Sequence, residues 1–120
     1  MLASCLLLAA ASAPNVILVT IDTLRADRVG AYGYAAGETP TIDRLAREGV
    51  LALDAVVQVP QTRPSHASIF TGRHPYEHGI RDNYSKPLAP GTPTIASVLR
   101  RRGWDTAAFI GAYPVSRPSG

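Results

Sequence analysis

The chain has 120 residues, a formal net charge of +3, 46% hydrophobic residues and one cysteine. This length suffices for one small domain, and a lone cysteine excludes an intramolecular disulfide and a cysteine-based zinc cluster. Part of the positive charge lies at Arg100–Arg102, at a predicted helix end where basic residues complement the helix dipole. Because no basic stripe interleaved with aromatic residues is present, nucleic-acid binding is not expected.

Residues 1–13 have the pattern of a shortened signal peptide. They contain the apolar run Leu6–Leu8 and end in the small residues Ala11–Ala13. The segment Leu2–Cys5 also matches a bacterial lipoprotein box, although little sequence precedes it. The alternative is a buried strand or a disordered tail. The pattern predicts an extracytoplasmic protein, whether periplasmic, secreted or lipid-anchored, and the run is too short to span a membrane.

The next elements alternate between predicted strands and helices. Residues 15–21 form an apolar, β-branched run that predicts a central strand, and Asp22 follows at its carboxyl end. A helix is predicted from Pro40, capped by Thr39 and ended by Gly49. Its face of Ile42, Leu45 and Ala46 is expected to be buried. Residues 50–59 are predicted to form a second strand.

The segment Gln61–Gly72 predicts a loop that leads into a short helix. Pro64 suits the first helical position and Gly72 suits the position just past the helix end. The hydroxyl of Thr62 would then lie at a helix N-terminus, which favours anions. The alternative for Thr62 is a hydroxyl that only caps the helix, and for Asp22 a carboxylate that only caps a turn.

The last predicted helix repeats the Thr-Pro-Thr-Ile opening at residues 92–95, which we interpret as a shared solution to capping rather than an internal repeat. Ile95, Val98 and Leu99 form its predicted buried face, and residues 104–110 predict a third strand. The complete order, β-α-β-α-loop-α-β, is typical of a three-layer α/β fold with a mostly parallel sheet.

Several segments resemble the sulfatase family of the alkaline phosphatase superfamily. The segment Gln61–Gly72 resembles the signature Cys/Ser-x-Pro-Ser-Arg that ends in Thr-Gly, Asp22–Arg25 and Gly30–Gly33 resemble the family's opening, and Gly103–Gly111 resembles its second signature. Six signature positions are in register: Pro64, Ser65, Ile69, Phe70, Thr71 and Gly72. The resemblance implies an alkaline-phosphatase-like αβα sandwich that is incomplete in this chain, with residues 14–120 as the N-terminal part of the catalytic domain.

Four positions depart from the family pattern at the reactive site. Thr62 replaces the Cys or Ser that becomes formylglycine, and His66 replaces an Arg that helps to hold it. Thr23 replaces a second metal-binding Asp, and Ala112 replaces a Lys that contacts the ester. Because the β-carbon of threonine carries a methyl group, it cannot become the formylglycine aldehyde.

The resemblance implies roles for Asp22 and Thr62. Asp22 would bind a divalent metal, and Thr62 would bind the same metal and act as the nucleophile. The metal would be calcium in a sulfatase-like site and zinc or manganese in a phosphoesterase-like site. His66 could orient Thr62, contact an anion or bind metal, or it could simply pack within the helix. Arg63 is expected to be exposed, where it could meet an anion.

The remaining candidate residues are interpreted as structural. Pro75 interrupts any continuous helix between His74 and His78, so a shared metal site is not expected there. Asp82-Asn83 lies in a predicted loop, too early in the chain for the family's second metal-binding pair. The family's other metal ligands are expected beyond residue 120.

The sequence therefore predicts the N-terminal part of a metal-dependent sulfate ester hydrolase. Its substrate would be a small anionic ester, sulfated or phosphorylated. One alternative is a phosphodiesterase, phosphonate monoester hydrolase or phosphatase that uses Thr62 directly. The other is an inactive, truncated domain that binds ligands without turnover.

Overall fold

The computed structural model describes residues 14–111 and 113–116, and within them the regular structure is helical. The α-helices are α1 (Pro40–Glu48), α2 (Thr62–Thr71), α3 (Pro75–His78) and α4 (Ile95–Arg101). Short 3-10 turns cover Ala26–Arg28, Gly30–Tyr32 and Tyr113–Val115. The predicted signal segment 1–13 and Ala112 lie outside the described residues, so export stays a prediction.

Helix α1 confirms the predicted boundaries and shows a further role for its cap. The helix begins at Pro40 after Thr39 and ends before Gly49. The Thr39 hydroxyl accepts a hydrogen bond from the Gly30 N–H at 2.9 Å and donates one to Asp43 at 3.0 Å. The helix start therefore anchors the loop that precedes it, because the cap binds residues on both sides of that loop.

Helix α2 begins two residues earlier than the sequence predicts. Its first residue is Thr62, so Pro64 occupies the third helical position rather than the first. The early start is tolerated because a proline anywhere in the first turn lacks only an N–H that would have no partner within the helix. Gly72 ends the helix with a φ of 67°, the left-handed conformation predicted for it.

Helix α4 begins two residues later than its Thr-Pro-Thr-Ile opening suggests. Thr94 is the cap, and its hydroxyl accepts a hydrogen bond from the Ser97 N–H at 3.2 Å. The Ser97 hydroxyl in turn accepts one from the Thr94 N–H at 2.9 Å. This reciprocal pair outweighs the preference of Pro93 for a first helical position, because it satisfies two backbone donors at once.

The three predicted strands are not present as strands in the described residues, so the central sheet is not confirmed. Apolar side chains along these segments are open to solvent: Ile17 is 84% exposed, Val50 100% and Phe109 99%. A strand requires a neighbouring chain for its backbone hydrogen bonds, which local sequence cannot provide. One bond links the third segment to the residue just before the first, from the Trp104 indole N–H to the Pro14 carbonyl at 3.2 Å.

The buried residues of the described chain centre on α2. Pro64 is fully buried, and Val29, Ala67 and Ile80 are the buried hydrophobic residues. The faces predicted to be buried on α1 and α4 are only partly covered, as Leu45 is 60% exposed, because no strand covers them within the described residues. Over residues 14–111 and 113–116, no helix has the length and apolar character needed to cross a membrane.

Candidate active site

Asp22 and Thr62 lie in direct contact although 40 positions separate them in the sequence. The Thr62 hydroxyl donates a hydrogen bond to Asp22 Oδ2 at 3.0 Å. With its proton directed to Asp22, the hydroxyl oxygen keeps lone pairs for another partner. The structure therefore brings together the two residues for which the sequence predicts metal binding and nucleophilic attack.

His66 connects the first turn of α2 to the segment that leads into Asp22. Its Nδ1 lies 2.8 Å from the carbonyl oxygen of Thr62, one helical turn earlier. Its Nε2 lies 3.2 Å from the hydroxyl of Thr20. Since a carbonyl oxygen only accepts, Nδ1 carries a proton, and in the neutral ring Nε2 accepts from Thr20. Sequence reasoning missed Thr20, which has no motif to identify it.

The backbone at Thr23 adopts an uncommon conformation directly after Asp22. Its φ is 59°, in the left-handed region that β-branched residues rarely occupy. Such a conformation costs on the order of 1–3 kcal/mol and persists only where surrounding contacts enforce it. The turn therefore fixes the direction in which the chain leaves Asp22.

Arg63 is half-buried rather than exposed, so the prediction for this residue is wrong. Its guanidinium Nη1 donates hydrogen bonds to the carbonyl oxygens of Asn83 at 3.0 Å and Ser85 at 2.7 Å. Its backbone N–H donates to Asn83 Oδ1 at 2.9 Å. A guanidinium presents several donors in a fixed plane, which suits two carbonyls of one loop. No sequence pattern indicates this role of Asn83.

The first turn of α2 offers fewer free donors to an anion than the sequence predicts. The Arg63 N–H is bound to Asn83, and Pro64 has no N–H. The Ser65 N–H donates to the Gln61 carbonyl at 3.1 Å. These three positions therefore leave no unpaired N–H for a ligand, and only the helix dipole still favours an anion there.

His74 and His78 lie at the two ends of a helix that the sequence did not predict, because Pro75 begins α3 rather than interrupting a helix there. His78 is 8% exposed, receives a hydrogen bond from the Ile80 N–H at Nδ1 and lies 3.1 Å from the Ser68 hydroxyl through Nε2. Burial lowers the pKa of His78, although the carboxylate of Glu77 opposes this effect. His74 is exposed and stacks on the Tyr76 ring at 5.4 Å.

The Asp22–Thr62 pair fits part of a metal site. A carboxylate and a hydroxyl are hard oxygen donors that suit a divalent cation. Within residues 14–111 and 113–116, however, no group of three or more His, Cys, Asp or Glu side chains could hold a metal ion.

Comparisons with known proteins match most of the chain to sulfatases. The family model described as Sulfatase matches residues 14–115. The chain is 34% identical over 100 residues to a Delta 4,5-hexuronate-2-O-sulfatase of Bacteroides thetaiotaomicron, covering 80% of this chain and 21% of that protein. It is 36% identical over 104 residues to bovine arylsulfatase A, and this match covers 82% of this chain and 20% of that protein.

The fold is similar to that of a solved phosphonate monoester hydrolase of Agrobacterium radiobacter. That similarity has a TM-score of 0.72 at 34% identity and covers 78% of this chain and 18% of the other. The chain spans about a fifth of the length of the curated relatives it matches. With a family match over nearly all described residues, the chain belongs to the sulfatase family.

Proposed function

We propose that the protein containing this chain is a metal-dependent hydrolase of sulfate esters in which Thr62 is the nucleophile. The observation that carries the proposal is the 3.0 Å hydrogen bond between Thr62 Oγ1 and Asp22 Oδ2. Oγ1 would attack the sulfur of the ester and form a new O–S bond, while the S–O bond to the alcohol breaks and the alcohol leaves with the proton that Oγ1 loses. Water would then release the group from Thr62 and restore the hydroxyl.

Each residue of the site has a defined part in this proposal. Asp22 accepts the hydrogen bond of the Thr62 hydroxyl and would be a ligand of the metal. A divalent cation at this position would lower the pKa of the hydroxyl and neutralise negative charge on the ester. His66 bonds the Thr62 carbonyl and Thr20, and so orients the nucleophile rather than contacting the reacting group.

The proposal also includes a completed sheet in the whole domain. The segments 15–21, 50–59 and 104–110 carry exposed apolar side chains that a sheet and its covering helices would bury. The contact from Trp104 to Pro14 supports a neighbouring arrangement of the first and third segments. A three-layer αβα architecture would then place Asp22 at the carboxyl end of its strand, where open α/β folds bind ligands.

A phosphonate or phosphate ester is the second candidate substrate. Two observations favour it: the structural similarity to a phosphonate monoester hydrolase, and a threonine where formylglycine cannot form. A plain hydroxyl activated by a metal can attack phosphorus as well as sulfur. A panel of aryl sulfate, phosphate monoester, phosphodiester and phosphonate ester substrates separates the candidates by their relative kcat/KM.

The deciding experiment is replacement of the proposed nucleophile in the complete protein. Thr62→Val keeps the side-chain shape but removes the hydroxyl, and we expect activity to fall by about 10³-fold or more. Thr71→Val is the matched control, because this hydroxyl donates to the Ala67 carbonyl at the other end of α2. Asp22→Asn should weaken metal binding in a titration. Full activity in Thr62→Val would exclude Thr62 as the nucleophile.

A further inference from the structure

The residues on either side of Thr62 both bind the same loop. Gln61 Oε1 accepts a hydrogen bond from the Asn83 N–H at 3.2 Å. The Arg63 backbone N–H donates a hydrogen bond to the Asn83 side chain, and its guanidinium donates hydrogen bonds to the carbonyl oxygens of Asn83 and Ser85. The four bonds connect positions 61 and 63 to residues 83–85, so the backbone of Thr62 is held from both sides.

The loop that receives these bonds is itself tightly cross-linked. Asp82 Oδ1 accepts hydrogen bonds from the Tyr84 N–H at 2.8 Å and from the Ser85 hydroxyl at 3.1 Å. The Ser85 oxygen also accepts from the N–H groups of Arg81 at 3.0 Å and Asp82 at 3.2 Å. A loop with this many internal bonds is a firm support, because moving one residue requires breaking several of them.

The side chain of Asn83 supplies a cap that α2 lacks locally. The N-cap residue Gln61 makes no side-chain capping bond of its own. Asn83 Oδ1 instead accepts the N–H of the second helical residue, 20 positions earlier in the sequence. The start of α2, and with it Thr62, is therefore fixed by a distant segment rather than by its own sequence.

We propose that Arg63 and Asn83 are positioning residues that hold the Thr62 hydroxyl in place for reaction by clamping the first turn of α2 to the 83–85 loop. The inference rests on the proposed function of Thr62. Neither residue needs to contact the reacting group. Their effect is geometric, since a displacement of about 1 Å at a reacting atom can cost about 10²-fold in rate.

The test uses Arg63→Met in the complete protein, which keeps an apolar stem and removes the donors. We expect kcat to fall by about 10- to 100-fold with little change in KM, because a misplaced nucleophile affects the reaction more than substrate binding. Arg63→Lys should recover part of the loss, since an ammonium can still donate to a carbonyl. Arg101→Met, at an exposed position in α4, is the matched control and should keep the original kcat.

A second measurement examines the clamp without relying on catalysis. Hydrogen exchange of the backbone amide at position 63 should be faster in Arg63→Met than in the original protein, while exchange of the amides in α4 should be unchanged. An unchanged kcat, a rise in KM alone, or unchanged exchange at this amide would each overturn the inference. If Thr62→Val stays active while exchange responds as expected, the function of Thr62 fails and the clamp itself stands.

Discussion

Gly30→Ala should destabilise the protein through a single close contact. A Cβ built at Gly30 lies 2.5 Å from Asp43 Oδ2 and 2.9 Å from Cγ and Oδ1. The opposing atoms are not the free end of a flexible side chain. Asp43 Oδ1 already accepts hydrogen bonds from the Ala31 N–H at 2.7 Å and the Thr39 hydroxyl at 3.0 Å. The added methyl group therefore competes directly with the bonds that anchor α1 to the preceding loop.

The size of the effect follows from these distances. To reach ordinary van der Waals contact at 3.4 Å, Asp43 Oδ2 must move away by about 0.9 Å. A movement of that size also displaces Oδ1 of the same carboxylate and stretches or breaks its bonds to Ala31 and Thr39. A lost hydrogen bond to a charged group costs roughly 1.5–3 kcal/mol, and overpacking has a similar cost. We expect the free energy of unfolding to fall by about 2–4 kcal/mol.

Urea unfolding of the two alanine variants provides the assay. Gly111→Ala is the control, because among the described residues no atom beyond the chain neighbours lies within 4 Å of its added Cβ, and its unfolding free energy should stay within about 0.5 kcal/mol. In an Asp43→Ala background, Gly30→Ala should cost less than about 1 kcal/mol, since the opposing carboxylate is gone. If Gly30→Ala alone unfolds at the original urea concentration with an unchanged slope, the steric argument is refuted.

Three further predictions concern capping and pH. Thr94→Ala should lower the unfolding free energy by about 1 kcal/mol in urea unfolding, because α4 loses its cap. Burial lowers the pKa of His78 below 6.5, so its contribution to the free energy of unfolding is complete above pH 6.5 and decreases as the pH falls below that value. In thermal unfolding, the Tm of His78→Gln should therefore fall less between pH 7 and pH 5 than the Tm of the original protein. The hydrogen bond from the Tyr84 N–H, and to a smaller extent that from the Ser85 hydroxyl, lowers the pKa of Asp82 below 3.8. The contribution of Asp82 to the free energy of unfolding is therefore present above pH 3.8 and is lost as the pH falls through the pKa of the folded state. Asp82→Asn should flatten the acid limb of a plot of unfolding free energy against pH.

The features that were predictable from sequence are those decided within a few residues. The limits of α1 follow from Thr39, Pro40 and Gly49, and the end of α2 from Gly72, because caps and left-handed turns depend on local backbone chemistry. The candidate roles of Asp22 and Thr62 came from motif resemblance. The 3.0 Å contact places the two together, which supports that pairing while leaving their chemistry a proposal.

Other features depend on partners far along the chain. The start of α4 is an exception, because the pairing of Ser97 with Thr94 that decides it is local. The start of α2 was misplaced because Asn83 caps it from a distant loop. The burial of Arg63 was missed for the same reason, since its carbonyl partners lie 20 and 22 positions away. Composition identifies a side chain that can donate hydrogen bonds, but not which acceptors the fold brings within reach.

The sequence by itself therefore determined the family, the ends of individual helices and the exclusion of formylglycine at Thr62, because each depends on residue type and short spacing. Tertiary structure alone decided which distant groups surround Thr62: Asp22 at its hydroxyl and the 83–85 loop beside it. The physical reason is that a hydrogen bond forms only when folding brings donor and acceptor to about 3 Å. The apolar segments 15–21, 50–59 and 104–110 show the same dependence, since a strand exists only when another chain segment pairs with it.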